Sequence, residues 1–232
     1  MIAVPEPTFG EQLNDAQRQA ATYGHLDERR FKSGPLLIIA GAGTGKTNTL
    51  AHRVAHLLLS GVHPERIALM TFSRRAATEM LLRAESITNR SIAAHSARSV
   101  DATRRMWSGT FHSIANRLLR EFAGTIGMEP TFSVIDRGDS GDLIDIQRQA
   151  LNLGKRGKRF PRKDTCLAIY SHRVNTRESL ADTLENAYPW CTEWESELNT
   201  LFRKYVAAKQ VQQMLDYDDL LLYWHALMQE SS

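Results

Sequence analysis

A glycine-rich stretch ending in Gly-Lys-Thr carries the strongest chemical signal in the chain. Residues 40–47 read Ala-Gly-Ala-Gly-Thr-Gly-Lys-Thr, and the glycines allow successive backbone N–H groups to converge on phosphate oxygens. Lys46 adds a full positive charge, and the hydroxyl of Thr47 is a suitable ligand for Mg²⁺. The residues expected to contact a nucleotide here are Gly41, Ala42, Gly43, Thr44, Gly45, Lys46 and Thr47.

The segments on either side determine whether this loop can be presented to a ligand. The apolar run at residues 36–39 precedes it and predicts a buried strand, while Leu50, Val54 and Leu57 follow at the spacing of a helix face. A strand, a glycine-rich turn and a helix N-terminus are the context that a phosphate-binding loop requires. One departure is Ala40, where the general motif has Gly. The loop alone is compatible with kinases, GTPases, motor ATPases and helicases.

Beyond the loop, strand-like and helix-like segments alternate. Residues 67–72 and 107–111 predict strands, and each precedes an amphipathic helix. This alternation indicates an α/β fold with a parallel sheet covered by helices. After Gly127 the sequence is almost entirely helical in character, so we expect a mainly helical subdomain inserted in or following the α/β core. Residues 1–12 are predicted to be a poorly ordered leader.

Composition and charge narrow the class of protein. Hydrophobic residues make up 42% and charged residues 24% of the 232-residue chain, as in soluble globular proteins. No apolar run is long enough to span a bilayer, and the two cysteines show no metal-type spacing, so we expect a cytoplasmic protein without a membrane partner. The net charge is only +3, yet six of the nine residues from 155 to 163 are basic, which favours a polyanionic partner such as nucleic acid.

Four short motifs accompany the loop, and their order is typical of one family. Residues 13–17 (Leu-Asn-Asp-Ala-Gln) resemble the adenine-reading glutamine motif of superfamily 1 helicases. Residues 71–80 (Thr-Phe-Ser-Arg-Arg-Ala-Ala-Thr-Glu-Met) and 109–113 (Gly-Thr-Phe-His-Ser) are similar to motifs Ia and Ib of those proteins. Residues 215–221 (Leu-Asp-Tyr-Asp-Asp-Leu-Leu) look like the segment that re-enters the first motor domain. From residue 13 onward, the chain resembles the amino-terminal part of UvrD/Rep/PcrA-type DNA helicases, in which Ala at the first loop position is usual.

The resemblance implies an ATP-dependent DNA helicase or translocase that steps 3′→5′, with ATP and Mg²⁺ as cofactors. The carboxamide of Gln17 is expected to pair with the adenine edge, and Thr47 to hold Mg²⁺. An aromatic ring at the end of a strand, as at Phe72, can stack on an unpaired base. The residues expected to bind single-stranded DNA are Phe72, Arg74, Arg75, Thr110 and His112, and those expected near the junction with the duplex are Lys155, Arg156, Lys158 and Arg159.

The same resemblance divides the chain into a RecA-like ATP-binding domain 1A at residues 13–125, a helical 1B-like insertion at 126–214, and the start of a return to domain 1A at 215–232. Hydrolysis requires a carboxylate pair and an arginine at the transferring phosphoryl group. In the family, these lie beyond the 215–221 segment and in a second motor domain. Asp218 and Asp219 lie in a helical pattern, so we interpret them as structural. The chain alone is therefore expected to hydrolyse ATP poorly, and to need the remainder of the helicase.

Two other function classes remain open from the sequence. One is a non-catalytic module that binds ATP or DNA as a subunit or regulator. The other is a different phosphate-loop enzyme, such as a kinase, although a kinase gives no reason for the similarities at residues 71–80 and 109–113.

Overall fold

The computed structural model describes residues 10, 12–28, 30–93, 105–153 and 159–230. Its internal contacts divide the chain into two compact units, Met1–Ile114 and Ala115–Ser232. Within the described ranges, no helix is both long enough and apolar enough to cross a membrane.

The first unit combines helices with a short parallel strand pair and a small hairpin. Its elements, in chain order, are α1 (Asp15–Thr22), β1 (His25–Asp27), β2 (Arg30–Lys32), α2 (Lys46–Leu59), a 3₁₀ helix (Pro64–Arg66), β3 (Ala68–Thr71), α3 (Arg74–Ala93), β4 (Trp107–Thr110) and the first residues of α4 (Phe111–Phe122). Strands β3 and β4 pair in parallel with Thr71 opposite Thr110, so both strands end at the same edge. Strands β1 and β2 form an antiparallel hairpin, which the sequence reasoning missed.

Helices α2 and α3 supply most of the core of the first unit. Ala51, Val54 and Ala55 on α2 are buried, as are Met80 and Ala84 on α3. Their spacing of three and four residues places them on one face of each helix, which is the amphipathic pattern predicted from the sequence. Helix α2 ends at Leu59, and Gly61 follows with a φ of +82°, as expected of a glycine just past a helix.

The buried strand predicted at residues 36–39 is wrong. These residues form no strand, and Leu37 and Ile39 are 82% and 87% exposed. A strand buried on both faces needs hydrogen-bonded neighbours, and no backbone bond joins residues 33–40 to any other segment that the structure describes. The parallel sheet of the described first unit is therefore the pair β3–β4 alone, narrower than the sheet core that the sequence led us to expect.

The second unit is mainly helical, as predicted. It contains the rest of α4, a 3₁₀ helix (Ala123–Ile126), β5 (Ser133–Val134), α5 (Arg137–Ala150), α6 (Lys163–Thr176), α7 (Leu180–Ala187), a 3₁₀ helix (Pro189–Trp194), α8 (Glu195–Val211), β6 (Met214–Leu215) and α9 (Tyr217–Glu230). Strands β5 and β6 pair in parallel. Leu198, Leu201, Phe202 and Tyr205 on α8 are at most 2% exposed, so this helix runs through the centre of the core.

A buried polar network joins the end of α8 to the start of α9. The ammonium of Lys209, which is 2% exposed, lies 2.6 Å from Asp216 Oδ2 and 2.5 Å from Asp219 Oδ2. The hydroxyl of Tyr205 donates to Asp216 Oδ2 at 2.8 Å. Asp216 and Asp219 also accept each other's backbone N–H groups, at 2.8 and 3.0 Å. These reciprocal bonds begin helix α9, and they confirm that Asp219 is structural.

Candidate nucleotide and nucleic-acid site

Helix α2 begins directly at the glycine-rich loop and has no side-chain cap. Gly45 precedes the helix with a φ of +81°, and Gly43 has a φ of +75°, a region that residues with a side chain rarely adopt. The backbone N–H groups of Lys46 and Thr47 donate to no acceptor among the residues that the structure describes. Exposed, unpaired donors at a helix N-terminus form a site with affinity for an anion.

Two side chains of the loop form hydrogen bonds to backbone carbonyls of the loop itself. Lys46 Nζ donates to the carbonyl oxygens of Ala40 and Gly41, at 2.9 and 2.5 Å. Thr44 Oγ1 donates to Gly41 O at 2.8 Å, which tightens the turn. The hydroxyl of Thr47 is exposed and makes no hydrogen bond to the rest of the described chain. The ammonium of Lys46 and the hydroxyl of Thr47 therefore lie at one exposed loop.

Gln17 connects helix α1 to this loop. Its Oε1 accepts the backbone N–H of Asn14 at 3.0 Å, and Asn14 Oδ1 accepts the N–H of Gln17 at 2.9 Å, which together form a capping box. Its Nε2 donates to Thr44 O at 2.9 Å. A Cβ on Gly45 would lie 2.8 Å from that nitrogen. The structure thus places Gln17 against the loop, and its pairing with adenine stays a prediction.

Arg53 on α2 forms hydrogen bonds to the end of α1 and to the residue that follows this helix. The sequence reasoning did not identify Arg53. Its guanidinium donates to the carbonyls of Ala21 and Tyr23 and lies 5.4 Å from the ring centre of Phe31. Burial, with the nearby charge of Arg53, lowers the pKa of His56 and so favours its neutral form. No sequence motif marks Arg53, because its partners are backbone carbonyls that only the fold brings to it.

The candidate DNA-binding residues of the first unit lie where β3 and β4 end. Phe72 follows β3 and is 98% exposed, and Arg74 and Arg75 begin α3 with exposed side chains. Thr110 ends β4, and the exposed His112 lies in the first turn of α4. Because Thr71 pairs with Thr110, the parallel register brings both groups to one edge of the sheet.

The turn from β4 into α4 is tightly built. Thr110 Oγ1 accepts the backbone N–H of Ser113 at 3.2 Å, and Ser113 Oγ donates to Thr110 O at 2.9 Å. A Cβ on Gly109 would lie only 2.2 Å from Ser113 Oγ, so a larger residue would displace that hydroxyl. Phe111 is 46% exposed at the same turn. Its position in the motif could have identified it as a second aromatic candidate, which the sequence reasoning overlooked.

Only part of the basic run at residues 155–163 falls within the described residues. Lys155, Arg156 and Lys158 lie outside the described residues. Arg159 is exposed and belongs to the second unit. The role of these four residues at a DNA junction stays a prediction.

The loop has the donor set that a nucleotide with Mg²⁺ requires. The open backbone N–H groups and Lys46 suit phosphate oxygens, and the Thr47 hydroxyl suits the metal. No group of three or more His, Cys, Asp or Glu side chains with metal-site geometry occurs in the described parts of the chain. In this arrangement, Mg²⁺ would be held by Thr47 together with oxygens of the nucleotide itself.

Comparison with known proteins gives one consistent result. A profile of the UvrD/REP helicase N-terminal domain matches residues 13–232. Among similar proteins, an ATP-dependent DNA helicase PcrA of Leuconostoc citreum is 33% identical over 228 residues, which cover 97% of this chain and 27% of the relative. Those of Staphylococcus epidermidis (32% over 195 residues; 83% of this chain, 24% of the relative) and Staphylococcus aureus (34% over 191 residues; 82% and 24%) are also similar.

The chain spans about a quarter of the length of the curated relatives that it matches. The profile match covers all four motifs quoted from the sequence, together with the loop and the edge of β3 and β4. The chain therefore belongs to the UvrD/REP helicase family.

Proposed function

We propose that the chain forms the ATP-binding part of an ATP-dependent 3′→5′ DNA helicase or translocase and contacts single-stranded DNA. The observation that carries this proposal is the exposed loop at the uncapped start of α2, in the same unit as the exposed edge of β3 and β4. Family membership implies a RecA-like phosphate-loop fold for the nucleotide site, and the relatives are DNA helicases by name.

ATP binding follows from the charges and donors of the loop. The triphosphate accepts hydrogen bonds from the N–H groups at the start of α2, and Lys46 neutralises phosphate charge. Thr47 orients Mg²⁺, which supplies further charge neutralisation when bound. Gln17, already in contact with Thr44, offers one donor and one acceptor to the adenine edge.

DNA binding follows from the edge of the sheet. The fully exposed ring of Phe72 is available for stacking on an unpaired base. Arg74 and Arg75 provide positive charge for phosphates, and Thr110 and His112 provide polar contacts to the backbone of the strand. Binding through phosphates is salt-dependent. Lys155, Arg156, Lys158 and Arg159 would contact the duplex at a junction, as the family resemblance implies.

We infer slow ATP turnover by this chain alone. Catalysis in this class requires carboxylates that hold Mg²⁺ and orient water. In the described first unit, β3 and β4 are followed by Phe72 and Phe111 rather than by acidic residues. Translocation would require a second motor domain, supplied by the remainder of a longer helicase.

Equilibrium binding of a fluorescent ATP analogue with Mg²⁺, and of labelled single-stranded DNA, tests the proposal. Lys46→Ala should weaken ATP binding at least about tenfold, because a charge-assisted contact contributes about 1.5–3 kcal/mol, whereas Lys204→Ala, at an exposed residue of α8, should not. Phe72→Ala should weaken DNA binding about tenfold, as expected for loss of one stacked base, whereas Leu82→Ala should not.

Three results would contradict the proposal. ATP affinity that is unchanged by Lys46→Ala would exclude the loop as the nucleotide site. DNA affinity that is insensitive to both Phe72→Ala and salt would exclude the sheet edge. The median turnover number of enzymes is about 10 s⁻¹. ATP turnover by the wild-type chain at about that rate would exclude the proposal that this chain only binds ATP.

A further inference from the structure

An aromatic surface lies on the second unit, at the 3₁₀ helix Pro189–Trp194. Trp190 in the 3₁₀ helix Pro189–Trp194 is 67% exposed. Its ring meets that of Tyr188 at a centroid distance of 5.8 Å, and Tyr188 meets His172 on α6 at 5.8 Å. Both contacts are edge-to-face, with interplanar angles of 69° and 79°, a favourable geometry for aromatic pairs.

The backbone below these rings is fixed. The N–H of Cys191 donates to Tyr188 O at 2.8 Å, and Thr192 Oγ1 donates to Pro189 O at 2.9 Å. The side chain of Cys191 points into the core and is 1% exposed. Hydrogen bonds on both sides of Trp190 therefore fix the backbone that carries its exposed ring. Binding through this ring would cost little conformational entropy of the backbone.

The segment of sequence that carries Tyr188 and Trp190 is acidic, and it lies between Arg177 and Arg203. From residue 178 to residue 202 the chain contains six acidic residues and no Lys, Arg or His, although the net charge of the whole protein is +3. Glu178, Asp182, Glu185 and Glu195 are exposed, and none of the four forms an ion pair with another described residue. Asp182 and Glu195 also lie in the first turns of α7 and α8, where they stabilise the helix dipole. Glu178 and Glu185 lie outside those turns.

We propose that Trp190, Tyr188 and the exposed carboxylates of the same segment form a docking surface for an arginine-rich segment of a partner protein. A guanidinium group stacks on Trp or Tyr faces and pairs with carboxylates. An acidic surface steers a basic partner towards the rings. The same carboxylates repel phosphates, so this surface is unsuited to binding DNA. The proposal does not depend on the proposed ATP or DNA sites.

Fluorescence anisotropy with a labelled arginine–glycine repeat peptide and the full chain tests the surface. We expect salt-sensitive binding that Trp190→Ala weakens about tenfold, which corresponds to about 1.4 kcal/mol and lies within the range of a cation–π contact. Trp190→Phe should retain most of the affinity. Val211→Ala, at a residue that is 85% exposed, is the matched control for apolar surface and should bind like the wild type. Circular dichroism and the Tm show that each variant is folded.

A second pair of variants tests the charge. Glu185→Lys with Glu195→Lys should weaken peptide binding and leave binding of single-stranded DNA no weaker, whereas Glu230→Gln should change neither. Peptide affinity that is equal in the wild type, Trp190→Ala and the lysine variant would overturn the proposal. So would loss of DNA binding in Trp190→Ala, since the surface would then serve DNA. Dimerisation of the wild type that Trp190→Ala abolishes in sedimentation would identify a second copy as the occupant, and would also overturn it.

Discussion

At the scale of single residues, Gln17 has two structural roles. Its carboxamide caps helix α1 and also contacts the glycine-rich loop. Its oxygen accepts the N–H of Asn14, and its nitrogen donates to Thr44 O. The position of α1 is thereby linked to the shape of the loop. Any nucleotide that re-orients Thr44 or Gln17 must alter this bond.

Gln17→Glu separates the two roles of this side chain. A carboxylate can still accept the N–H of Asn14, so α1 keeps its capping box, but it has no donor for Thr44 O. Because one hydrogen bond contributes about 1 kcal/mol, we expect about a fivefold loss of ATP affinity in a fluorescent-nucleotide titration. The far-UV circular dichroism should not change.

The control for this variant is GTP. If Gln17 also reads adenine, the ratio of ATP to GTP affinity should fall in Gln17→Glu. An unchanged ATP affinity would show that the contact with Thr44 has no part in nucleotide binding. Sequence alone indicated Gln17 as a nucleotide residue through its motif. It could not indicate the bond to Thr44, because that bond spans 27 residues and depends on how the loop turns.

Among the elements, the junction of α8 and α9 depends most on electrostatics. Burial and the adjacent carboxylate of Asp216 raise the pKa of Asp219 to about 6 from an ordinary 3.8, although Lys209 opposes the shift. Burial alone would lower the pKa of Lys209. Interactions with Asp219, Tyr170 and Asp216 raise this pKa by more than burial lowers it, so that it lies above its usual range. The buried ammonium of Lys209 thus forms ion pairs with two buried carboxylates, those of Asp216 and Asp219.

The raised pKa of Asp219 predicts a specific pH dependence. The folded chain holds this proton more tightly than the unfolded chain, so the stability from Asp219 falls as the pH rises from 3.8 to about 6. The free energy of unfolding of the wild type, relative to that of Asp219→Asn, should fall on the order of 2–3 kcal/mol across that window. Urea denaturation at a series of pH values measures it.

Two comparisons make this test decisive. Lys209→Met leaves two buried carboxylates uncompensated and should cost about 3–5 kcal/mol at pH 7. Asp139→Asn, at an exposed first-turn residue of α5, should show no comparable pH-dependent difference. Parallel pH curves for the wild type and Asp219→Asn would mean that Asp219 titrates normally in the folded chain.

Helices were predicted from the sequence more successfully than strands, for a physical reason. The helical character predicted for the sequence after Gly127 agrees with helices α5 to α9, because helical hydrogen bonds are local and leave their period in the sequence. The apolar run at residues 36–39 misled us, because a strand also needs distant partners. Three-residue strands such as β1 carry too little alternation to be seen. Lys209 went unnoticed because a lysine at the end of a helix is normally exposed.

For the whole molecule, candidate functions are divided between the units. The loop and the β3–β4 edge belong to the first unit, and the acidic aromatic surface belongs to the second. Each unit has buried clusters of its own. Binding of ATP should therefore stabilise the chain locally, near α1, the loop and α2.

Hydrogen exchange with and without Mg²⁺ and ATP measures this locality. We expect slower exchange in residues 40–50 and in α1, with little change in α5 to α8, because ligand contacts suppress local opening where they are made. Lys46→Ala at the same ATP concentration is the control and should lose the protection. Equal protection throughout α5 to α8 would contradict local binding.

In the structure, the ammonium of Lys46 donates to the carbonyls of Ala40 and Gly41. If the loop binds ATP as proposed, these bonds compete with bonds from Lys46 to phosphate, and the apparent dissociation constant is the intrinsic one divided by the fraction of molecules whose ammonium is free of the carbonyls. A substitution that weakens the carbonyl contacts would then raise the apparent affinity without touching the nucleotide. The affinity of the loop for phosphate would therefore depend on contacts within the loop as well as on contacts with the ligand.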